Sequence, residues 1–411
     1  MKVALIGGGI GGLTAALYLH REGIDCRVYE ATPEYKPVGV GINLFSHAIK
    51  RLSDLGLGSQ LAAVGLEPQE FCFFNQYGQL IYDEPCGRHA GYDVPHLSFH
   101  RADLHTVLLA AVHERLGADA VVMGHKFKRV EQDDRGVTLH FEDTRTGQAL
   151  PAEAATIAIG CDGIHSGVRK QFYPDEGLPT FGGINMWRGI TRQKPVLTGA
   201  SVVRAGPLKT GKMVIYPIRN YPDGTQLINW VAEVQLEVRA LSDWSKAGRL
   251  EDFIHYFKDW HFDWLDVPEM LRNAELILEY PMVDRDPVPR WTFGRVTLLG
   301  DAAHPMYPRG GNGAAQAIID ASVLAPMLKT SSGDPVKALQ QYEGERLEKT
   351  AQIVRTNRSQ PPDFIIETVN RLTEGKPFAR IGDVISREEL TAISERYKQV
   401  TGGTVSAVNR Q

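Results

Sequence analysis

Apolar positions along this chain fall into three patterns, and each predicts a different kind of element. Val3-Ala4-Leu5-Ile6 is an unbroken apolar run, as expected of a short parallel strand covered on both faces. The next residues switch to a helical period. Ile10, Leu13 and Leu17 share one stripe, Ala15 and Ala16 permit close packing, and Gly23 supplies a stop, because glycine turns left-handed without a side-chain clash. Cys26-Arg27-Val28-Tyr29 returns to strand and ends at Glu30. Residues 156–160 and 295–299 repeat the continuous apolar character and predict further strands of the same parallel sheet. Residues 181–285 differ. Aromatic and β-branched stretches such as 213–217 and 226–234 alternate with turns like Pro222-Asp223-Gly224, which predicts an antiparallel sheet. After about residue 313 the pattern is helical, most clearly over 314–328, and the tail from Thr401, with Gly402, Gly403 and Ser406, reads as frayed.

Length and composition narrow the class without choosing a function. At 411 residues the chain exceeds one small core, and its size favours about two or three domains. Hydrophobic residues at 43% and charged residues at 23% are ordinary globular proportions. A net charge of −4 gives no support for binding nucleic acid or an anionic membrane by bulk electrostatics. No stretch approaches the roughly 20 consecutive apolar residues of a membrane span. The run at 3–6 breaks at once into glycines, unlike a secretory signal. Cys26, Cys72, Cys86 and Cys161 are scattered and form no CxxC pair. A zinc site or disulfide framework is therefore not expected, nor any other metal, and reduced thiols in the cytoplasm are.

Three motifs carry chemistry. The first is Gly7-Gly8-Gly9-Ile10-Gly11-Gly12, in which Gly7, Gly9 and Gly12 fill the G-x-G-x-x-G positions after a strand and before a helix. The first glycine permits the tight turn, the second lets the backbone approach a pyrophosphate, and the third lets helix and strand pack closely. The helix start offers unpaired N–H groups and partial positive charge to phosphates. Glu30, 18 residues past Gly12 at a strand end, can accept hydrogen bonds from ribose hydroxyls. This motif alone does not separate FAD from NAD. The second is Gly160-Cys161-Asp162-Gly163-Ile164-His165-Ser166-Gly167-Val168-Arg169, a strand turning on Gly163 into a helix, with Asp162 at the turn. The third is Gly300-Asp301-Ala302-Ala303-His304-Pro305, continuing through Pro308, Gly311, Asn312 and Gly313. An acid at a strand tip can accept charge-assisted hydrogen bonds from a ligand's hydroxyls. The glycines that follow let backbone N–H groups approach a ligand closely, and the helix beyond points its positive end at them.

The second motif resembles the D-G-x-x-S-x-x-R signature, and the third the G-D-A-A-H and P-x-x-G-x-G signatures, of the flavin-dependent aromatic hydroxylases, the para-hydroxybenzoate hydroxylase-like or class A monooxygenases. The likeness runs from Lys2 to about residue 360. Gly39-Val40-Gly41-Ile42-Asn43, Met186-Trp187-Arg188-Gly189 and the segment from Tyr280 through Pro287 are most similar to the phenazine-modifying branch, the 5-methylphenazine-1-carboxylate monooxygenase-like enzymes. Arg309 departs from the family, which usually has an apolar or aromatic residue there, and Asn312 replaces a common Gln.

The resemblance implies an α/β fold. A Rossmann-like FAD-binding domain would be assembled from residues 1–70, 98–180 and 286–345. An inserted, mostly antiparallel β-sheet substrate domain would come from 71–97 and 181–285, with a C-terminal helical segment at 346–411. It also implies a single-component cycle in which NADH or NADPH reduces FAD, dioxygen adds to the flavin, and the C4a-hydroperoxide hydroxylates an aromatic or heteroaromatic ring. The substrate is expected to carry a carboxylate, which the reaction either keeps or expels.

Residues expected at FAD are Gly7, Gly9, Ile10, Gly11, Gly12, Glu30, Gly41, Arg101, Asp162, Asp301, Gly311, Asn312 and Gly313. Of these, Arg101 matches a family position that contacts FAD, the Asp162 segment lies in the family near the pyrophosphate and the nicotinamide cofactor, and Gly41 would let the ring approach and swing. Candidate substrate residues are Trp187, Arg188, Tyr216, Asn229, Trp230, Pro308 and Arg309. The aromatics among them read as pocket lining or as plain core packing. Arg188 is uncomfortable in a core unless paired. Arg309 reads either as a partner for a substrate carboxylate or as a solvated loop residue. His304 reads as a catalytic base or as a residue holding its loop. Two other readings stay open: a flavin oxidoreductase without oxygen insertion, and a flavin-binding protein without turnover.

Overall fold

The computed structural model of the chain describes residues 1–35, 39–236 and 246–410. The apolar run at its start forms the strand Lys2–Ile6, which sits at the centre of a five-stranded parallel sheet. Ile157–Gly160 and then Val296–Leu298 flank it on one side, and Asp25–Tyr29 and then Val121–Val122 on the other. Helices cover this sheet, so its strands carry apolar residues at every position rather than at alternate ones. Val3, Leu5, Ile157, Ile159, Val296 and Leu298 are fully buried, packed on Leu13 and Leu17 of the helix Ile10–Arg21 and on Ile318 and Leu324 of Gly313–Thr330.

The second body is an eight-stranded sheet. In spatial order it runs Lys246–Ala247, Ala274–Asp284, Thr180–Gln193, Gln226–Gln235, Lys212–Asn220, Ser201–Ala205, Glu70–Phe74 and Leu80–Pro85. Every pairing is antiparallel except that between Ser201–Ala205 and Glu70–Phe74. The short ribbon of Gly41–Leu44 with Leu97–His100 lies at the cleft between the two bodies.

Pro335–Ser359 is one continuous helix, capped by Asp334, and it runs through residue 345. One expectation needs correction. The carboxy-terminal segment is not frayed. Gly402 (φ 70°) ends the helix Arg387–Thr401 in a left-handed turn, and a further helix, Val405–Asn409, follows with Thr404 as its cap. Tyr92 donates to the Gly403 carbonyl at 2.5 Å, Asn409 donates to Gly91 O at 2.9 Å, and Val408 is fully buried. The glycine pair is a corner between docked helices, which composition alone cannot tell from a loose end. Among the described residues no helix is long and apolar enough to cross a membrane, and no group of three or more His, Cys, Asp or Glu is placed to hold a metal.

Candidate functional site

The first glycine turn is crowded at some positions and open at others. Gly7 has φ +105°, and a Cβ on it would lie 2.5 Å from the Cys161 carbonyl oxygen. A Cβ on Gly12 would lie 2.0 Å from Gly7 O, so only glycine lets the helix start this close to the strand. Gly9 is the opposite case: a Cβ there would meet nothing within 4 Å, because the position faces a cleft. Gly9, Ile10 and Gly11 form one end of that cleft, at a helix start whose first N–H groups have no intrahelical acceptors. The cleft continues to the eight-stranded sheet and holds about 1480 Å³ of atom-free space, part of it open to solvent.

Asp301 and Arg101 both line the cleft, and neither side chain makes a hydrogen bond or ion pair with another described residue. Both are reached by solvent through the cleft yet have protein on nearly every other side. Burial pushes the Asp301 carboxyl up, against the charges of His304 and Arg101. Burial, and then the neighbouring Arg188, lower the Arg101 guanidinium. Gly311, Gly313 and Pro308 line the wall beside them.

The Asp301 turn is held from behind by Asp320, which is fully buried on the helix Gly313–Thr330. Its carboxylate accepts from Gly300 N at 3.1 Å, pairs with His304 Nε2 at 2.6 Å, and accepts from Arg346 Nε at 2.7 Å. Burial would raise its pKa, but the charges of His304 and Arg346 outweigh that and set it at about 2. His304 thus points away from the cleft and anchors the loop.

On the sheet side, strand alternation selects the lining. Met186 and Arg188, Val214 and Tyr216, and Val231 and Glu233 come from three adjacent strands and share the cleft face. Arg188 donates to Gly41 O at 2.8 Å, and Asn229 Oδ1 accepts from Gly41 N at 2.6 Å, so two sheet residues clamp one residue of the ribbon through the peptide groups on either side of it. Trp187 and Trp230 fall on the other face, contrary to their reading as substrate candidates. Both are fully buried. Trp187 stacks on Phe253 with centroids 4.8 Å apart, and Trp230 donates to Thr191 Oγ1 at 3.0 Å.

Beneath this face lies a buried charge cluster. Lys212 Nζ is 3.0 Å from Glu233 and 2.5 Å from Asp363, and Arg204 is 2.6 Å from Asp363. Arg204 also donates to the Arg309 carbonyl at 2.9 Å. Arg309 Nε sits 3.7 Å from Asp363 and has no hydrogen-bond partner, although the residue is only 9% exposed. Burial favours a protonated Asp363, but Lys212, Arg204 and Arg309 together hold its carboxyl well below the ordinary range. Three cations thus face two carboxylates, and Arg204, Glu233 and Arg309 all reach the cleft.

The remaining predicted residues lie outside the cleft lining. Glu30 accepts from Gly8 N and Thr32 N, each at 2.7 Å, bracing the glycine turn. The Asp162 carboxylate turns back on its own helix, accepting from Gly167 N at 2.7 Å and from Ser166 Oγ at 2.5 Å. Asn312 donates to Gly310 O and to Tyr397 Oη, so its side chain lies behind the loop. A separate recess beside the Asp162 segment is lined by His165, Lys170, Arg169 and Arg285, the last two paired with Glu176. Arg204, Lys212, Glu233, Asp320 and Asp363 were missed in the sequence. A lone charge inside an apolar strand signals Arg204 and Glu233, whereas Lys212 opens its strand, Asp320 lies on a helix and Asp363 lies just before one.

Comparison with known proteins agrees with this geometry. The family model described as FAD binding domain matches residues 1–357. The phenazine 1,6-dicarboxylic acid hydroxylase PhzS of Lysobacter antibioticus is 42% identical over 406 residues, covering 97% of this chain and 96% of that protein. The 3-amino-4-hydroxybenzoate 2-monooxygenase of Streptomyces cremeus is 34% identical over 372 residues, covering 89% and 88%. Among solved structures, HpxO of Klebsiella pneumoniae, complexed with FAD and uric acid, superposes with a TM-score of 0.75 at 24% identity, covering 99% of this chain and 96% of that one. At that identity the likeness is one of fold.

Proposed function

The chain belongs to the FAD-binding-domain family of flavin-dependent aromatic hydroxylases, and from that premise we propose how its cleft divides the work of an NAD(P)H-consuming monooxygenase. The cleft's donor set fits FAD. The open Gly9 position, the helix start at Ile10 and the unpartnered Arg101 suit a pyrophosphate. The unpartnered Asp301 suits ribityl hydroxyls, and Gly41, Gly311 and Gly313 leave backbone at the surface where a flat ring can approach. When bound, FAD supplies the redox chemistry: with electrons from NADH or NADPH and with dioxygen, it delivers a hydroxyl group to an electron-rich ring.

The protein's own residues then have distinct tasks. The helix Gly313–Thr330 presents its positive end to the cleft and favours negative charge there. Asp320, through Gly300 and His304, fixes the turn that carries Asp301. Arg188 and Asn229 hold Gly41 in one orientation. Met186, Val214, Tyr216 and Pro308 form the walls for an aromatic ring and displace water from it. Lys170, in the neighbouring recess beside His165, offers a nicotinamide cofactor's phosphates a cationic approach.

The observation that carries the substrate class is the surplus cation at the sheet end. Arg309 Nε, 3.7 Å from Asp363, makes no hydrogen bond in a buried, net positive cluster, which suits an anionic substituent such as a ring carboxylate. The test is a panel of aromatic acids and their amides, read as substrate-stimulated NAD(P)H consumption. The acids should stimulate and their amides should not. Equal response to both would remove the carboxylate from the proposal.

A further inference from the structure

A second chamber lies behind the Gly311–Gly313 loop, on the far side of Arg204 from the cleft. It holds about 750 Å³ of atom-free space including its mouth, and Arg204 lines both spaces. Aromatic rings form its walls. Phe45 and Phe71 each meet the His96 ring edge-on, with centroids 4.9 and 5.3 Å apart, while Phe73 and Tyr397 complete the enclosure.

The charges at its edge are already satisfied. Lys398 pairs with Glu84 at 3.0 Å, Ser394 donates to the same carboxylate, and Arg204 pairs with Asp363. Burial lowers His47 to about 4 and His96 to about 3, so both imidazoles are neutral at pH 7. Two polar atoms lack a hydrogen bond of normal geometry: His47 Nε2 and Asn312 Oδ1 are buried and line the chamber, and the Asn312 side chain is near enough to His47 to oppose the lowering of its pKa. A concave, mostly aromatic space with a few unsatisfied polar atoms is the form of a small-molecule site. A buried polar atom left without a hydrogen bond is destabilising, and a ligand that supplies the missing partner relieves that.

We propose that this chamber binds a neutral planar aromatic molecule carrying a hydroxyl group, which stacks among Phe45, Phe71 and Phe73 and donates to Asn312 Oδ1 beside His47. The cleft is cationic and this space is not, so the two sort ligands by charge. A carboxylate finds no free cation in the chamber and stays in the cleft. A neutral hydroxyaromatic, the kind of molecule the hydroxylase reading has the cleft produce when no acid group remains, finds an acceptor. Gly311 and Gly313, on either side of Asn312, line the cleft, so an occupant of the chamber touches the loop that borders the cofactor's space.

The test is calorimetric titration of FAD-loaded protein with 2-naphthol, without NAD(P)H, so that the result does not depend on turnover. One saturable site is expected, weakened at least about tenfold by Phe73→Trp, which fills the chamber, with FAD content unchanged. If Phe73→Trp does not fold, Phe71→Ala removes a wall of the chamber and should weaken binding by a similar factor. Absence of binding up to the solubility limit overturns the proposal, and so does unaltered affinity in whichever variant folds. Hydroxylase activity without 2-naphthol binding would remove the chamber's role and leave the assignment of the cleft intact.

Discussion

Replacing Asp320 with asparagine perturbs the cofactor loop without touching the cleft. The side chain keeps its size, but the charge that holds His304 and Arg346 is removed, and Arg346 is left buried with Gln316 as its remaining side-chain partner at 2.6 Å. Breaking a buried pair from one side costs about 3–5 kcal/mol, because an uncompensated charge remains. An independent magnitude comes from titration. The Asp320 pKa of about 2, against an ordinary 3.8, corresponds to about 2 kcal/mol of folding stability. Since the folded value is the depressed one, that contribution is fully present above about pH 5 and is lost as pH falls toward 2. Urea unfolding of both proteins from pH 7 down to pH 3 separates the two effects. Asp320→Asn should be less stable by at least about 2 kcal/mol at pH 7, and the gap should narrow toward pH 3 as the Asp320 carboxyl of the unfolded wild-type chain takes up a proton that the folded one does not. A difference below about 1 kcal/mol at pH 7, or a gap independent of pH, would refute the reasoning.

Asp301→Ala deletes the unpartnered carboxylate in the cleft, and FAD affinity, followed by flavin absorbance, should fall at least about tenfold; unchanged affinity contradicts the ribityl assignment. Arg309→Met should raise KM for aromatic acids about tenfold or more while leaving FAD affinity unchanged, and steady-state kinetics showing an unaltered KM would reject the carboxylate role. Gly12→Ala places a methyl 2.0 Å from Gly7 O and should give protein that retains no flavin after purification; a yellow, soluble variant would count against the close-packing argument. Trp187→Ala should lower stability by about 3–5 kcal/mol in urea melts while leaving the KM of the remaining folded enzyme unaltered, and a selective KM change would return Trp187 to the substrate wall.

Much of this architecture is legible in the chain because its strongest signals are local. A buried parallel strand must be apolar throughout, so Lys2–Ile6, Ile157–Gly160 and Val296–Leu298 stand out without any knowledge of their partners. The glycine turn and the Asp301 loop are equally local, since each packs a strand end, a turn and a helix start into about a dozen residues. Which face of a strand a residue occupies is a weaker signal. Trp187 and Arg188 are adjacent, and only the register of Thr180–Gln193 against its neighbours decides that the arginine meets the cleft and the tryptophan the core. Asp320, Arg346 and Asp363 were invisible for another reason. They act across 16 to 159 residues of sequence, from positions on a helix or, for Asp363, just before one, which the local pattern marks only as polar. The clamp of Arg188 and Asn229 on Gly41 is likewise a tertiary product, spanning 147 and 188 residues.

The most direct measurement of the central claim supplies the FAD-loaded enzyme with NAD(P)H, an aromatic acid that stimulates its consumption, and isotopically heavy dioxygen, and weighs the product. Hydroxylation in this cleft requires one heavy oxygen atom in each product molecule, with NAD(P)H consumed in step. Product that carries only solvent oxygen, or NAD(P)H consumption with the aromatic acid recovered unchanged across the whole panel, would contradict it.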